Sequence, residues 1–165
     1  MRRLLIGFFV GGLFGVAGGF ALGIFFFPYI FPPPRADQQV ADRAAHAVLA
    51  TGRFVHADPT DIVHWGRGGV SLLKAPDGGR LIVLEQDFEV GPGPDFRVYL
   101  VRHPAPRAKD DVRTAFLDVG GLMSFAGSQI YRIAEDVDLQ AYGSVVIWCR
   151  AFGQLISPAT LAKAS

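Results

Sequence analysis

The sequence VSLLKAPDGGRLIVLE, residues 70–85, has the pattern of a β-hairpin. Two runs rich in Val, Ile and Leu, at residues 70–74 and 80–85, flank Asp77-Gly78-Gly79. Glycine after aspartate supplies the backbone conformation that a tight turn between two strands requires. We therefore predict two antiparallel strands joined at this turn.

Similar apolar runs, separated by turn signals, continue over most of the chain from Gly52 onward. Besides the hairpin they occupy residues 53–56, 96–102, 115–119, 129–133 and 144–152. Turn residues such as Asp58-Pro59, Gly91-Pro92-Gly93-Pro94 and Gly120-Gly121 separate them, and no long amphipathic pattern intervenes. Residues 52–165 are therefore predicted to form an all-β domain, an antiparallel sandwich or barrel of seven to eight strands.

An uncharged, mostly apolar segment at residues 4–27 precedes this domain. A membrane core of about 30 Å requires roughly 20 apolar residues in a helix, which this segment provides. A cleaved signal peptide would have a shorter apolar stretch of about 7 to 15 residues, followed directly by a small-residue cleavage site. Prolines follow instead, so we predict an uncleaved N-terminal transmembrane helix.

The orientation of this helix is inferred from the flanking arginines. Arg2 and Arg3 precede it directly, whereas Arg35 and Arg43 follow at a greater distance. Positive charge next to a short N-terminal side favours a cytoplasmic N-terminus. We therefore expect a single-pass protein of the inner (plasma) membrane, with residues 1–3 as a cytoplasmic stub and the folded domain in the periplasmic or extracellular space.

Residues 28–51 are predicted to link the helix to the domain. Four prolines between Pro28 and Pro34 favour a stiff, extended exit from the bilayer. The alanine-rich residues 36–50 are compatible with either a short helix or a solvated linker.

Glycine recurs every fourth residue along one face of the apolar segment. Glycines at this spacing let a second helix approach closely, as in G-x-x-x-G dimers. The face would support a homo-oligomer or docking onto a membrane redox partner; the alternative is that glycine is simply frequent in transmembrane helices. The glycines concerned are Gly7, Gly11, Gly15, Gly19 and Gly23.

Charge and cysteine content exclude several classes of function. The chain has 16 Lys and Arg and 15 Asp and Glu, and the part after the apolar segment has 14 and 15, a net charge of −1. A domain so close to neutral lacks the excess of positive charge that is typical of nucleic-acid-binding proteins. One cysteine excludes an internal disulfide framework and any multi-cysteine metal cluster held by a single chain.

Distinctive strings in the β region are Gly52-Arg53-Phe54, His64 with Gly68-Gly69-Val70, residues 81–88, GPDFRVYL at 93–100, Gly127-x-Gln129-x-Tyr131 and YGSVVIWC at 142–149. Over about residues 52–162, these strings resemble the DM13 domain family. DM13 domains are extracytoplasmic β modules, found beside DOMON and cytochrome b561-like domains in some animal proteins and alone behind an anchor in bacteria. The resemblance implies a part in electron transfer, a role suggested for the family by that company and by a characteristic cysteine.

Cys149 corresponds to that characteristic cysteine and is the candidate redox thiol. Strand alternation places it on one face with Val145, Ile147 and Ala151, and an apolar environment of this kind raises a thiol's pKa. A buried structural thiol and a redox, ligating or intermolecular role are therefore both open.

His64 and His56 are weaker candidates for binding a cofactor. Their spacing matches no zinc or copper motif, and surface or turn histidines are the simpler interpretation. Together with Cys149, either would suit copper or haem, so the cofactor stays unknown and no metal ligands are assigned. No nucleophile motif of a hydrolase is present. Two function classes follow: an anchored electron-transfer module, or a non-catalytic extracytoplasmic interaction domain that docks a partner protein.

Overall fold

The computed structural model describes residues 1–164 as one long helix followed by a mostly β domain. The helix α1, Arg2–Ile30, is long and apolar enough to cross a membrane. It extends beyond the predicted end at residue 27 and includes Pro28, which was expected outside it. Proline is tolerated there because only the last turn follows, and Phe31 N–H closes that turn on the Phe27 carbonyl at 2.9 Å.

The β domain contains twelve strands and one short helix. Eight strands have five or more residues, and four have two. In chain order they are β1 Ala36–Asp37, β2 Ala47–Arg53, β3 Gly66–Arg67, β4 Gly69–Lys74, β5 Arg80–Leu84, β6 Glu89–Val90, β7 Phe96–Val101, α2 Lys109–Arg113, β8 Phe116–Gly121, β9 Gly127–Ile133, β10 Ser144–Cys149, β11 Gln154–Thr160 and β12 Ala162–Lys163.

Two main sheets contain most of these strands. The first has the order β1-β9-β5-β4-β2-β12 and the second β11-β10-β7-β8, while β3 and β6 form a separate pair. All pairings are antiparallel except that of β1 with β9. An isolated bridge between Phe54 and Ala159 connects the two sheets at one edge.

A single large apolar core is shared by the two sheets. Because successive strand residues face opposite sides, each strand contributes every second residue to it. The first sheet contributes Val70, Leu72, Ile82, Leu84 and Tyr131, and the second Val98, Leu100, Val145, Ile147 and Ile156.

The predicted hairpin is confirmed as β4 and β5. Its last pair is Lys74 with Arg80, and Gly78 adopts a φ of +91°, which favours glycine. The Asp77 carboxylate accepts a hydrogen bond from Gly79 N–H at 2.9 Å. The turn therefore uses the residues that the sequence pattern indicated.

The segment predicted as a linker departs from that expectation. Residues 36–50 form neither a continuous helix nor a free linker: β1 pairs with β9, residues 43–45 form one 3-10 turn, and β2 begins at Ala47. Pairing with β4 gives β2 its hydrogen bonds, and this tertiary pairing overrides the weak strand preference of alanine.

Two predicted strand boundaries also differ. The strand predicted at 53–56 overlaps the observed strand β2 only at Arg53, where β2 ends. The run at 144–152 ends at Cys149, because a turn with Gly153 at a φ of +59° reverses the chain into β11. The sequence did not reveal β11, which contains Pro158; proline is accommodated there because β11 is an edge strand.

Candidate functional site

Cys149 is the last residue of β10, and its side chain lies in the core between the sheets. It pairs with Phe96 of β7 and Gln154 of β11, and it is 2% exposed. Val145 and Ile147 lie in the same core, whereas Val146 and Trp148 belong to a cluster on the other face of the sheet. The alternation predicted for this strand and the apolar surroundings of the thiol are confirmed as far as Cys149, whereas Ala151, predicted on the same face, is an exposed residue of the following turn because the strand ends at Cys149.

A turn before β7, formed by Gly93, Pro94 and Asp95 and called here the cover turn, lies over the thiol. The Cys149 S–H donates to the Pro94 carbonyl at 3.3 Å. Asp95 adopts a left-handed φ of 50°, which aspartate tolerates better than most residues. Its carbonyl accepts a hydrogen bond from Arg150 N–H at 3.0 Å, and its carboxylate accepts one from Arg150 Nε at 2.8 Å. Two bonds to the residue next to Cys149 thus hold the cover turn in place.

The cover turn also packs directly on an aromatic ring. A Cβ atom added to Gly93 would come within 2.4 Å of the Phe96 ring, so only glycine fits at this contact. Phe96 in turn meets Phe125 edge-to-face, with ring centroids 5.9 Å apart. The thiol is therefore closed in by packing as well as by hydrogen bonds.

The surroundings favour the neutral thiol over the thiolate. Burial raises the pKa of Cys149, and the backbone N–H groups of Phe152 and Ala151 only partly oppose that rise. A thiolate is the reactive form of cysteine. Chemistry at this sulfur consequently requires the cover turn to move or a partner to reach the thiol.

On the opposite face of the same sheet, three aromatic rings form a stack. Tyr99 stacks on Phe116 with centroids 4.4 Å apart and on Trp148 with centroids 6.1 Å apart. Arg97 flanks the stack and binds both carboxylate oxygens of Asp118 at 2.9–3.1 Å. Tyr99 and Trp148 are buried, whereas Phe116 is 45% exposed.

A buried glutamine organises the loop beside the cover turn. Gln129 is fully buried; its Oε1 accepts hydrogen bonds from the N–H groups of Met123 and Ser124 and from the Tyr131 hydroxyl, at 3.0–3.2 Å. Burial raises the pKa of Tyr131 to about 12. The network fixes residues 122–126, including Phe125. Sequence reasoning had assigned no role to Gln129, although strand alternation with Tyr131 would have placed it inside.

His64 and His56 lie in different environments. His64 Nδ1 is 2.5 Å from Asp61 Oδ2, and this contact is the main reason why the pKa of Asp61 falls to about 2. His56 follows Val55, whose N–H binds the Pro158 carbonyl, and Pro158 pairs with Val146. Val146 is three residues from Cys149 along β10, or about 10 Å.

No group of three possible metal ligands stands close together in residues 1–164. For Cys149, the structure gives contacts with Pro94 and with the turn at 150–152, and these contacts involve backbone atoms. The site therefore consists of a single thiol under a turn, and no metal or haem ligation is assigned to it.

The glycine face of α1 is open in the single chain. A Cβ atom added at any of the five predicted positions would meet nothing within 4 Å. No other part of the chain is in close contact with these positions, although two of them line a groove that faces Gly93 and Phe125. The glycines are Gly7, Gly11, Gly15, Gly19 and Gly23.

Comparison with known proteins gives one match. The family model described as "Electron transfer DM13" matches residues 60–161, more than half of the chain and the whole region from the loop before β3 to the end of β11. No curated protein sequence and no solved structure matches. The chain belongs to the DM13 family.

Proposed function

We propose that this chain is a single-pass membrane protein whose DM13 domain lies outside the cytoplasm and takes part in electron transfer through Cys149. The family assignment supports the general role. The length and composition of α1 support the anchor. The observation that bears most on Cys149 is its place at the end of a strand, directly under the cover turn, whose Pro94 carbonyl accepts a hydrogen bond from the thiol.

A lone cysteine limits the chemistry that the domain supports. A two-electron step is thiol–disulfide exchange with a disulfide of a partner protein: Cys149 loses its S–H proton to water and forms an S–S bond to one partner sulfur, the partner's S–S bond breaks, and its other sulfur leaves as a thiolate that takes up a proton. Alternatively, a partner's metal centre takes the Cys149 thiolate as a ligand, and the thiol proton leaves to water. Both routes require the cover turn to open, since Pro94 and Asp95 stand over the sulfur.

Film voltammetry of membranes that contain the full chain together with its partners tests this function, because both routes require a group of a second protein. We expect a reversible wave from membranes with the natural protein that disappears with Cys149→Ser, because a hydroxyl retains the size but not the redox chemistry of the thiol. Asp110→Asn, a change at an exposed carboxylate on α2, is the matched control and should keep the wave. The same wave in Cys149→Ser would overturn the proposal.

The extracytoplasmic location is tested separately by protease added to intact spheroplasts. With the N-terminus inside, as Arg2 and Arg3 favour, the β domain should be digested or released. A cytosolic marker should stay intact in the same sample. Full protection of the domain would contradict the proposed orientation.

The glycine face of α1 provides a means of bringing a partner to the domain. We place there either a second copy of the chain or a helix of a membrane redox partner. Its open surface supports this arrangement, since residues such as Gly15 have no neighbour that an added Cβ would displace.

We also interpret the two sheets as an antiparallel sandwich rather than a closed barrel. They share one core, and at the edge near β11 an isolated bridge, Phe54–Ala159, connects them. A sandwich leaves both ends of the strands available for loops, including the cover turn.

A non-catalytic interaction domain is the second candidate. The burial of Cys149 and the raised pKa of its thiol support it, because an inert thiol packs as a small apolar side chain. In that case Cys149→Ala would lower the stability of the protein but leave partner binding intact in proportion to the folded fraction.

A further inference from the structure

The connection between α1 and the β domain is short. The helix ends at Ile30, and Ala36 already pairs with Gly127 at the start of β9. The Pro34 carbonyl accepts a hydrogen bond from Ser124 Oγ at 2.8 Å, so the connection is bound to the domain before β1 begins. In polyproline geometry, at about 3.1 Å per residue, the six steps from Ile30 to Ala36 span roughly 19 Å. The start of β9 is therefore held close to the end of the helix.

The strand register brings the Cys149 region to this same end. Leu122 N–H binds the Phe96 carbonyl at 2.8 Å, and Phe96 pairs with Cys149. The loop 122–126, the cover turn and the turn 150–153 thus lie together beside the start of β9. A groove of about 710 Å³ separates the C-terminal part of α1 from the cover turn and Phe125.

Large apolar side chains are exposed at this end. Phe152, in the turn that follows Cys149, is 66% exposed, and Met123 is 44% exposed. The adjacent charge of Arg150 is neutralised by Asp95. Apolar side chains near a membrane surface gain free energy by entering the boundary between headgroups and acyl chains.

We propose that this end of the domain, with Phe152 and Met123, rests on the phospholipid surface of the membrane that anchors α1. The contact depends on the anchoring in the proposed function and adds an orientation to it: Cys149 then lies next to the bilayer, and the opposite end of the strands points into solvent. The strands of six to seven residues separate the two ends by about 20 Å.

Quenching of a fluorophore by spin-labelled lipid tests this contact in the full chain. Phe152→Cys, Met123→Cys and Val48→Cys are each labelled with nitrobenzoxadiazole and reconstituted into phosphatidylcholine vesicles that contain a headgroup nitroxide lipid. Val48 is the matched control, since it is 47% exposed and pairs with Leu73 near the opposite end. The natural protein, treated identically, measures any labelling of Cys149.

We expect the label at residues 152 and 123 to lose about half of its emission or more, and the label at residue 48 to lose little, because quenching falls off steeply beyond the interface. A fourth variant, Phe31→Cys, reports on the anchor itself. Strong quenching at residue 31, together with equally weak quenching at residues 152, 123 and 48, would overturn the lipid contact while leaving the anchor intact. No quenching at residue 31 would instead overturn the anchor and the contact with it.

Discussion

Release of the cover turn should accelerate the reaction of Cys149 with a thiol reagent. In the natural protein we expect slow labelling, because the sulfur is 2% exposed and its pKa is raised by burial. Replacing Asp95 weakens the cover, since its carboxylate binds Arg150 and its backbone is left-handed. The ion pair and the left-handed backbone each contribute to the free energy that keeps the cover turn closed over the thiol.

Asp95→Asn removes the ion pair but keeps a side chain that tolerates the left-handed backbone. The pair is partly exposed, so its loss costs about 0.2–1 kcal/mol and should speed labelling by at most about fivefold. Asp95→Ala additionally forces alanine into the left-handed conformation, at a further cost of about 1–2 kcal/mol. The total of about 1.2–3 kcal/mol corresponds to labelling that is roughly 8- to 160-fold faster.

The assay is stopped-flow or manual mixing with a coloured disulfide reagent at fixed pH, first on native and then on denatured protein. Asp110→Ala is the control, because this exposed carboxylate lies on α2. Labelling of the natural protein within the mixing time would refute the description of Cys149 as covered. Equal, slow rates for Asp95→Asn and Asp95→Ala would show that access does not depend on the cover turn.

Three further predictions concern packing, the helix face and pH. Cys149→Ala should lower the free energy of unfolding by about 1–3 kcal/mol in a urea titration, through a lost contact and a small cavity, and no measurable loss would contradict the burial. In a membrane reporter assay, Gly15→Ile should weaken helix association far more than Leu13→Ile, because only the first adds a side chain to the glycine face; equal effects would leave the glycines without this role. Burial in the folded protein raises the pKa of Tyr131 from 10.0 to about 12. The contribution of the neutral Tyr131 hydroxyl to the free energy of unfolding is therefore complete below pH 10.0 and is lost as the pH rises towards 12. Since one pKa unit corresponds to 1.36 kcal/mol, that loss is at most about 2–3 kcal/mol, and Tyr131→Phe should remove this part of the alkaline pH dependence of unfolding.

Features that depend on neighbouring residues could be predicted from the sequence. The β4–β5 hairpin follows from Asp77-Gly78-Gly79, and the inward position of Cys149 follows from alternation along β10. The membrane-length helix follows from its apolar composition. Each of these rests on composition, periodicity or turn chemistry within one continuous segment of at most 29 residues.

Features that depend on distant partners were missed. The strand β1 exists because the start of β9 offers it an unpaired edge, 91 residues further along the chain. The strand β11 contains Pro158, which suits a strand only at a sheet edge, and edge position is not visible in a single sequence. The cover turn depends likewise on Arg150, 55 residues from Asp95.

The central claim, that Cys149 takes part in electron transfer, is tested most directly by its redox state in living cells. Cells are quenched with acid, free thiols are alkylated in denaturant, reversibly oxidised thiols are then reduced and alkylated with a heavier reagent, and the peptide containing Cys149 is quantified by mass spectrometry. We predict that the fraction of reversibly oxidised or protected Cys149 changes when respiratory electron supply is blocked, and that Asp95→Ala enlarges the change. A thiol that stays fully reduced and unprotected under every condition, in both proteins, would contradict the account.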